Sequence, residues 1–284
     1  MQIVKRLIKK ILYVICSPFF PGFVQKQIVL DSANRYNMVL EENEKYYTRL
    51  YRFYINERIK RVYGEKKIRI LDVGCGHGRL SFALAELGHS LDGIDFSSDA
   101  IRLATELATK RKISNVNFRV CDIADSSFKD IIEKYDCIIC TEVLYMVREY
   151  EEVLSEMCLK LKPQGLLFVT FRDKLFMILH SLQNIRFREV KYILDHSEGV
   201  MRGTYLNWHT KDQVAHLLDM CGLQEIEVNG IGICSGIEGD PYAKIIQPST
   251  LSLDEQSILM EAESSLAQEY AGCGRYLLVS AIKH

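Results

Sequence analysis

The sequence predicts an α/β fold, a largely parallel sheet with helices on both faces, and three observations carry the prediction. Short, nearly continuous apolar runs alternate with segments of helical periodicity from residue 68 onward. The first of these runs ends in a glycine-rich turn that opens a helix. The 284-residue chain is 48% apolar and 26% charged, a composition that can bury a core and that excludes a wholly disordered or collagen-like chain.

Strands are expected at 68–73, 90–95, 116–121, 135–141 and 166–171, with helices at 79–87, 98–111 and 149–161 between them. Beyond residue 171 the regularity lapses until about 205, where bulky Phe176, Met177, Leu179 and Phe187 mix with Arg186 and Arg188. It resumes at Thr210-x-x-Gln213, a capping box opening a helix that ends near Cys221-Gly222. Strands at 223–231 and 275–282 follow, separated by an insertion with a second capped helix from Ser252-x-x-Glu255 to about 270. Ahead of the sheet, Tyr36, Leu40, Tyr47, Leu50, Tyr51 and Tyr54 recur at helical spacing and stop at Gly64, which suits a C′ position. The chain therefore divides into an arm at 1–30, a helical segment at 31–64 and a main domain at 65–284, with lid insertions at about 172–208 and 232–273.

Thirty-six Lys and Arg against 37 Asp and Glu leave no general basic field, so no specific nucleic acid is expected as a partner. Basic charge is concentrated in the arm: residues 1–30 hold Lys5, Arg6, Lys9, Lys10 and Lys26 and no acid, and Val4, Leu7, Ile8, Ile11, Val14 and Ile15 share one helical face. The pattern suits either peripheral contact with a membrane surface through residues 1–20 or an arm packed on protein. Its apolar run, 11–20, is too short for a span of about twenty residues. Nine scattered cysteines read as reduced thiols of a cytoplasmic protein; Cys137-x-x-Cys140 lies on a strand that points the two to opposite faces, and no metal site is expected.

The chemistry concentrates at Asp72-Val73-Gly74-Cys75-Gly76-His77-Gly78, where the backbone can approach a ligand at the carboxyl edge of the first strand. The place of the third glycine of a dinucleotide fingerprint is taken by Arg79, and no Gly-Lys-Ser/Thr ending grips a nucleotide phosphate, so NAD and ATP are disfavoured. Asp72 would repel a pyrophosphate and suits an ammonium. Asp95 ends the second strand, where a carboxylate can accept hydrogen bonds from ribose hydroxyls, and Asp122 follows the third, suited to an exocyclic amine. Together these point to a nucleoside bearing an amino acid, S-adenosylmethionine.

With Gly93-Ile-Asp-Phe-Ser97, Cys121-Asp-Ile123, Tyr135 through Leu144 and Leu161-Lys-Pro-Gln-Gly165 added, the stretch from about 66 to 171 resembles the class I S-adenosylmethionine-dependent methyltransferases. The resemblance implies a Rossmann-like seven-stranded sheet of order 3-2-1-4-5-7-6 with strand 7 antiparallel. It implies roles as well: Asp72, Gly74, Cys75, Gly76 and Gly78 at the methionine part, Asp95 at the ribose, and Asp122 at the adenine with Phe96 and Ile123 against its faces; Cys121 and Thr141 are further cofactor-binding candidates.

After the fourth strand the chain reads Cys140-Thr-Glu-Val-Leu-Tyr145, without the Asn/Asp-Pro-Pro-aromatic turn of amino-base methyltransferases or the Pro-Cys of cytosine enzymes. Glu142-Val-Leu144 resembles ubiquinone-type O-methyltransferases, although Tyr145-Met146-Val147 stands where a histidine often follows. Glu142 is a candidate base, a substrate hydrogen-bond acceptor or a turn cap; His209, after the single Trp208, is a second candidate base, and Tyr145 a third catalytic candidate. Arg172 either meets an anionic acceptor or faces solvent. Three functions remain open: methyl transfer to a small molecule, lipid-, quinone- or sugar-linked among others; methyl transfer to protein or RNA; and a non-catalytic S-adenosylmethionine-binding module.

Overall fold

The computed structural model describes residues 42–284; the arm, and the part of the helical segment before Glu42, lie outside the described residues. Helix α1 (Glu42–Tyr63) buries Tyr46, Tyr47, Leu50, Tyr51, Tyr54, Ile55 and Ile59, spaced three and four apart on one face. Acidic Glu42 and Glu44 occupy its first turn, basic Lys60 and Arg61 its last, complementing the helix dipole. Gly64, at φ 62, ends it.

The sheet comprises β1 (Arg69–Val73), β2 (Ser90–Asp95), β3 (Val116–Val120), β4 (Tyr135–Cys140), β5 (Leu161–Arg172), β8 (Leu223–Ile231) and β9 (Tyr276–Lys283). Its order is β3-β2-β1-β4-β5-β9-β8, with β9 antiparallel to both neighbours. The expected order is met, because β6 (Glu198–Met201) and β7 (Thr204–Asn207) form a separate hairpin. Connecting helices are α2 (Arg79–Ala85), α3 (Ser98–Arg111), α4 (Ser126–Lys129), α5 (Tyr150–Lys160), α6 (Lys174–Gln183), α7 (Phe187–Asp195), α8 (Lys211–Met220) and α9 (Leu253–Leu266). Both predicted capping boxes, at Thr210/Gln213 and Ser252/Glu255, are formed.

Alternate strand residues enter opposite cores, which is why the strands read as continuous apolar runs. Ile70, Cys137, Ile139, Leu166 and Phe168 pack with α1, whereas Leu71, Ile138, Cys140, Leu167 and Val169 pack with α5 and α8. Each of the isoleucine, leucine, valine and phenylalanine side chains among these contributes roughly 1.5–3 kcal/mol by burial. Cys137 and Cys140 accordingly face away from each other.

The stretch expected to be irregular, 172–208, is ordered instead. The Asp173 carboxylate accepts from the Phe176 amide (2.9 Å) and starts α6, and Phe176, Met177, Ile193, Met201, Trp208 and Tyr242 build a third, smaller core. The Trp208 indole donates to the His196 carbonyl at 2.7 Å.

Candidate active site

The parallel register brings the carboxyl ends of β1, β2 and β4 to one edge: Asp72 lies opposite Gly93 on one side and Ile139 on the other. A cleft opens there, lined by Asp72, Gly74, Cys75, Gly76, His77, Asp95, Phe96, Cys121, Asp122, Ile123 and Thr141, and also by Arg79, Glu142, Val143 and Met146. Of the residues assigned by resemblance to the cofactor, all line this cleft except Gly78, whose place is structural. Gly78 is the left-handed N-cap of α2 at φ 80.

Two glycines set the loop's shape. Gly74, at φ 74, lies so close to Val143 that an added Cβ would fall inside the Val143 Cγ2 radius. Gly76, at φ 52, faces open space instead, leaving backbone exposed to a ligand. The Gly76 amide donates to Asp95 Oδ2 (2.9 Å) and the Ser97 amide to Asp95 Oδ1 (2.8 Å), so Asp95 ties the loop to the end of β2. Burial raises its pKa against those two bonds.

Asp72 is 2% exposed and accepts from the Ser81 hydroxyl at 2.6 Å. Burial pushes its carboxyl up to about 6, opposed by the Ser81 bond and by Arg79. His77 is buried on the cleft wall, its Nδ1 without a hydrogen-bond partner among the described residues, and burial lowers its pKa. An acidic end, an accessible loop backbone and an orphaned imidazole nitrogen fit a ligand bearing an ammonium and hydroxyls.

On the same cleft Arg79 sits between two carboxylates, paired with Glu44 from α1 and with Glu142 Oε1 at 2.9 Å. Burial raises the Glu142 pKa, but Arg79 and then Arg275 outweigh it and hold the carboxyl below its ordinary value. Glu142 takes φ 60, rare for a residue with a Cβ, and its amide donates to Thr170 Oγ1 at 2.6 Å. Sequence reasoning did not find the clasp of Glu44 on Arg79, since its partners lie 35 residues apart with no local pattern joining them.

The catalytic candidates separate. Glu142 lines the cleft, and Tyr145 stands in the 3-10 turn Leu144–Met146 beside it, its ring 5.6 Å from that of Tyr276. His209 lies elsewhere, packed between Phe171 (5.1 Å) and Tyr150 (5.4 Å) on a second cavity with Ser155, Gln213 and His216. Burial pushes its pKa down to about 4, so it is neutral at pH 7, and its Nε2 lacks a partner among the described residues.

A family model described as a methyltransferase domain matches residues 64–214. Ubiquinone biosynthesis O-methyltransferase of Glaesserella parasuis serovar 5 (strain SH0165) is 34% identical over 120 residues, 41% of this chain and 49% of that protein. The Actinobacillus pleuropneumoniae serotype 5b (strain L20) enzyme of that name is 33% identical over 118 residues, 40% of this chain and 49% of that protein. The match thus spans about half the length of these curated relatives. Among solved structures, magnesium protoporphyrin IX methyltransferase from Synechocystis PCC 6803 with bound S-adenosylhomocysteine superposes at TM-score 0.55 and 16% identity, over 95% of this chain and 99% of that one. A plantazolicin methyltransferase in complex with S-adenosylhomocysteine does so at 0.55 and 18%, over 100% and 98%. At these identities the likeness concerns the fold.

Proposed function

We propose that this chain, which belongs to the methyltransferase-domain family and has the class I fold whose cofactor is S-adenosylmethionine, transfers a methyl group from that cofactor to a small-molecule acceptor. The observation that carries the reading is the single cleft in which the acidic strand ends and the glycine loop converge on Glu142. The small-molecule class is supported by the name of the 34% identical relative, a ubiquinone biosynthesis O-methyltransferase.

When bound, the cofactor supplies an electrophilic methyl on a sulfonium, and the barrier falls chiefly by alignment in a dry pocket. In the proposed roles Asp72 meets the ammonium, Asp95 the ribose hydroxyls and Asp122 the adenine amine, with Phe96 and Ile123 against the ring. Glu142, kept ionised by Arg79, orients an acceptor hydroxyl by accepting its hydrogen bond and takes up its proton only weakly, as its depressed pKa dictates. Tyr145 closes the acceptor side. His209, on the other cavity, is proposed to act through packing.

Incubating the protein with methyl-labelled cofactor and fractionated cell extract tests the reading, with label expected in a small-molecule fraction. Label in protein or RNA would reassign the acceptor class. Cofactor binding with no labelled fraction would favour a binding module. Among the described residues no helix is long and apolar enough to cross a membrane. Peripheral contact through residues 1–20 is proposed on the sequence pattern alone; a truncated chain that sediments with anionic liposomes as well as the full chain would refute it.

A further inference from the structure

We propose that Arg172 is an anion-recognition subsite beside the acceptor end of the cleft, and hence that the acceptor carries a carboxylate or phosphate. This deepens the methyl-transfer reading and rests on it. Three arginines converge at this end of the sheet, and their partners differ. Arg79 is clasped by Glu44 and Glu142, and Arg275 lies 2.6 Å from Asp240, with both side chains nearly buried. Arg172, the last residue of β5, has no carboxylate within ion-pair distance among the described residues, although Glu142 and Asp173 act on its charge from farther off.

Aromatic rings hold it instead. The Arg172 guanidinium carbon is 4.0 Å from the Tyr276 ring centroid, 4.6 Å from that of Tyr145 and 4.8 Å from that of Phe176. Nη2 donates to the Tyr276 hydroxyl at 2.8 Å. Ring faces attract a cation without neutralising it, and one hydroxyl uses one of five guanidinium donors. An arginine this enclosed is ordinarily paired with an acid. Here the side chain is fixed in orientation, half-buried rather than sealed, and keeps donors for a planar, two-pronged contact that matches carboxylate or phosphate.

Its position connects it to the chemistry. Tyr145 packs on Arg172, while Val143 and Met146, on either side of Tyr145 in the chain, line the cleft together with Glu142. An acceptor whose nucleophile reaches Glu142 would place a group farther along its frame against Tyr145 and the Arg172 fork. Opposite-charge contact at one end of the acceptor and alignment at the other would fix it in line, and a neutral acceptor would leave the fork's free donors unused.

The test uses the full chain saturated with S-adenosylhomocysteine and three probes of one shape: benzoate, phenyl phosphate and benzyl alcohol, titrated by calorimetry and saturation-transfer NMR. At least one anion is expected to bind about tenfold or more tighter than the alcohol, and Arg172→Gln to remove that margin while S-adenosylhomocysteine affinity stays unchanged. The tighter anion decides between carboxylate and phosphate. Arg172→Lys keeps charge and stem, guarding against a folding defect, and is expected to recover only part of the margin because it lacks the fork. Anions binding no better than the alcohol, or a full margin in Arg172→Gln, overturn the subsite. A chain that fails to bind S-adenosylhomocysteine at the outset sinks the methyl-transfer reading, a separate result.

Discussion

Changing the charge on Asp72 should alter cofactor affinity and its pH dependence together. In the free protein burial holds the carboxyl at about 6 against its ordinary 3.8, so near pH 5 the protein carries a proton there that an ammonium ligand must expel. If the bound ammonium returns the group to its ordinary value, protonation linkage makes affinity at pH 5 about tenfold weaker than at pH 7, with little change above pH 7. The sign for the free fold is opposite. The folded state binds more protons than the unfolded chain between about pH 4 and 6, so stability falls as pH rises through that window, by up to ~3 kcal/mol. Asp72→Asn should abolish the pH dependence of binding, weaken affinity about tenfold or more at pH 7, and leave the free protein at least as stable there. Calorimetric titration of S-adenosylhomocysteine from pH 5 to 8, in buffers of differing ionisation enthalpy, reads both affinity and proton release. Asp95 and His77 share the cleft, so the mutant is the control that assigns the proton. Affinity flat from pH 5 to 7, or a slope that survives in Asp72→Asn, would refute the reasoning.

Asp95→Ala should cost cofactor binding about 2 kcal/mol or more and loosen the loop as well, because the carboxylate holds the Gly76 and Ser97 amides; calorimetry with hydrogen exchange at residues 74–78 checks both, and unchanged affinity would contradict it. Gly74→Ala should destabilise by about 2–4 kcal/mol, combining left-handed backbone with the overlap on Val143, and a thermal melt within a degree of the parent would exclude it. Glu142→Gln should lower kcat on a hydroxyl acceptor with little change in S-adenosylhomocysteine affinity. Because the Glu142 pKa is depressed in the fold, its stabilisation is present above the ordinary carboxylate range and lost as pH falls below it, so the mutant's acid unfolding should be shallower. An identical acid transition would argue against the Arg79 clasp.

How much the sequence discloses follows from the range of each interaction. Strands buried on both faces announce themselves, and β9, at Tyr276–Lys283, lies within a residue of its expected bounds at each end. The lining of the cleft was legible because its contributors sit at or just past strand ends, where position along the chain fixes position in space. The stretch between β5 and α8 was not legible. The β6–β7 hairpin turns on Arg202 and Gly203, both at positive φ, and arginine stands where asparagine would have signalled the turn. Helix α7 is only nine residues long, and its cations disguise the apolar face that buries Ile193. His209 shows the limit at single residues. Adjacency to a capped helix could not tell which side of the sheet its ring would take, and the β5 end, whose Arg172 carbonyl accepts the His209 amide at 3.0 Å, carries it away from the cleft.

The central claim, that this cleft is built for an amino-acid-bearing nucleoside and not for a dinucleotide, is tested most directly by thermal unfolding of the full chain with S-adenosylhomocysteine or NAD. At a hundred times its Kd, S-adenosylhomocysteine is expected to add about 2.7 kcal/mol to stability, with NAD leaving the transition where it stands. Stabilisation by NAD, or none by S-adenosylhomocysteine, would contradict the account.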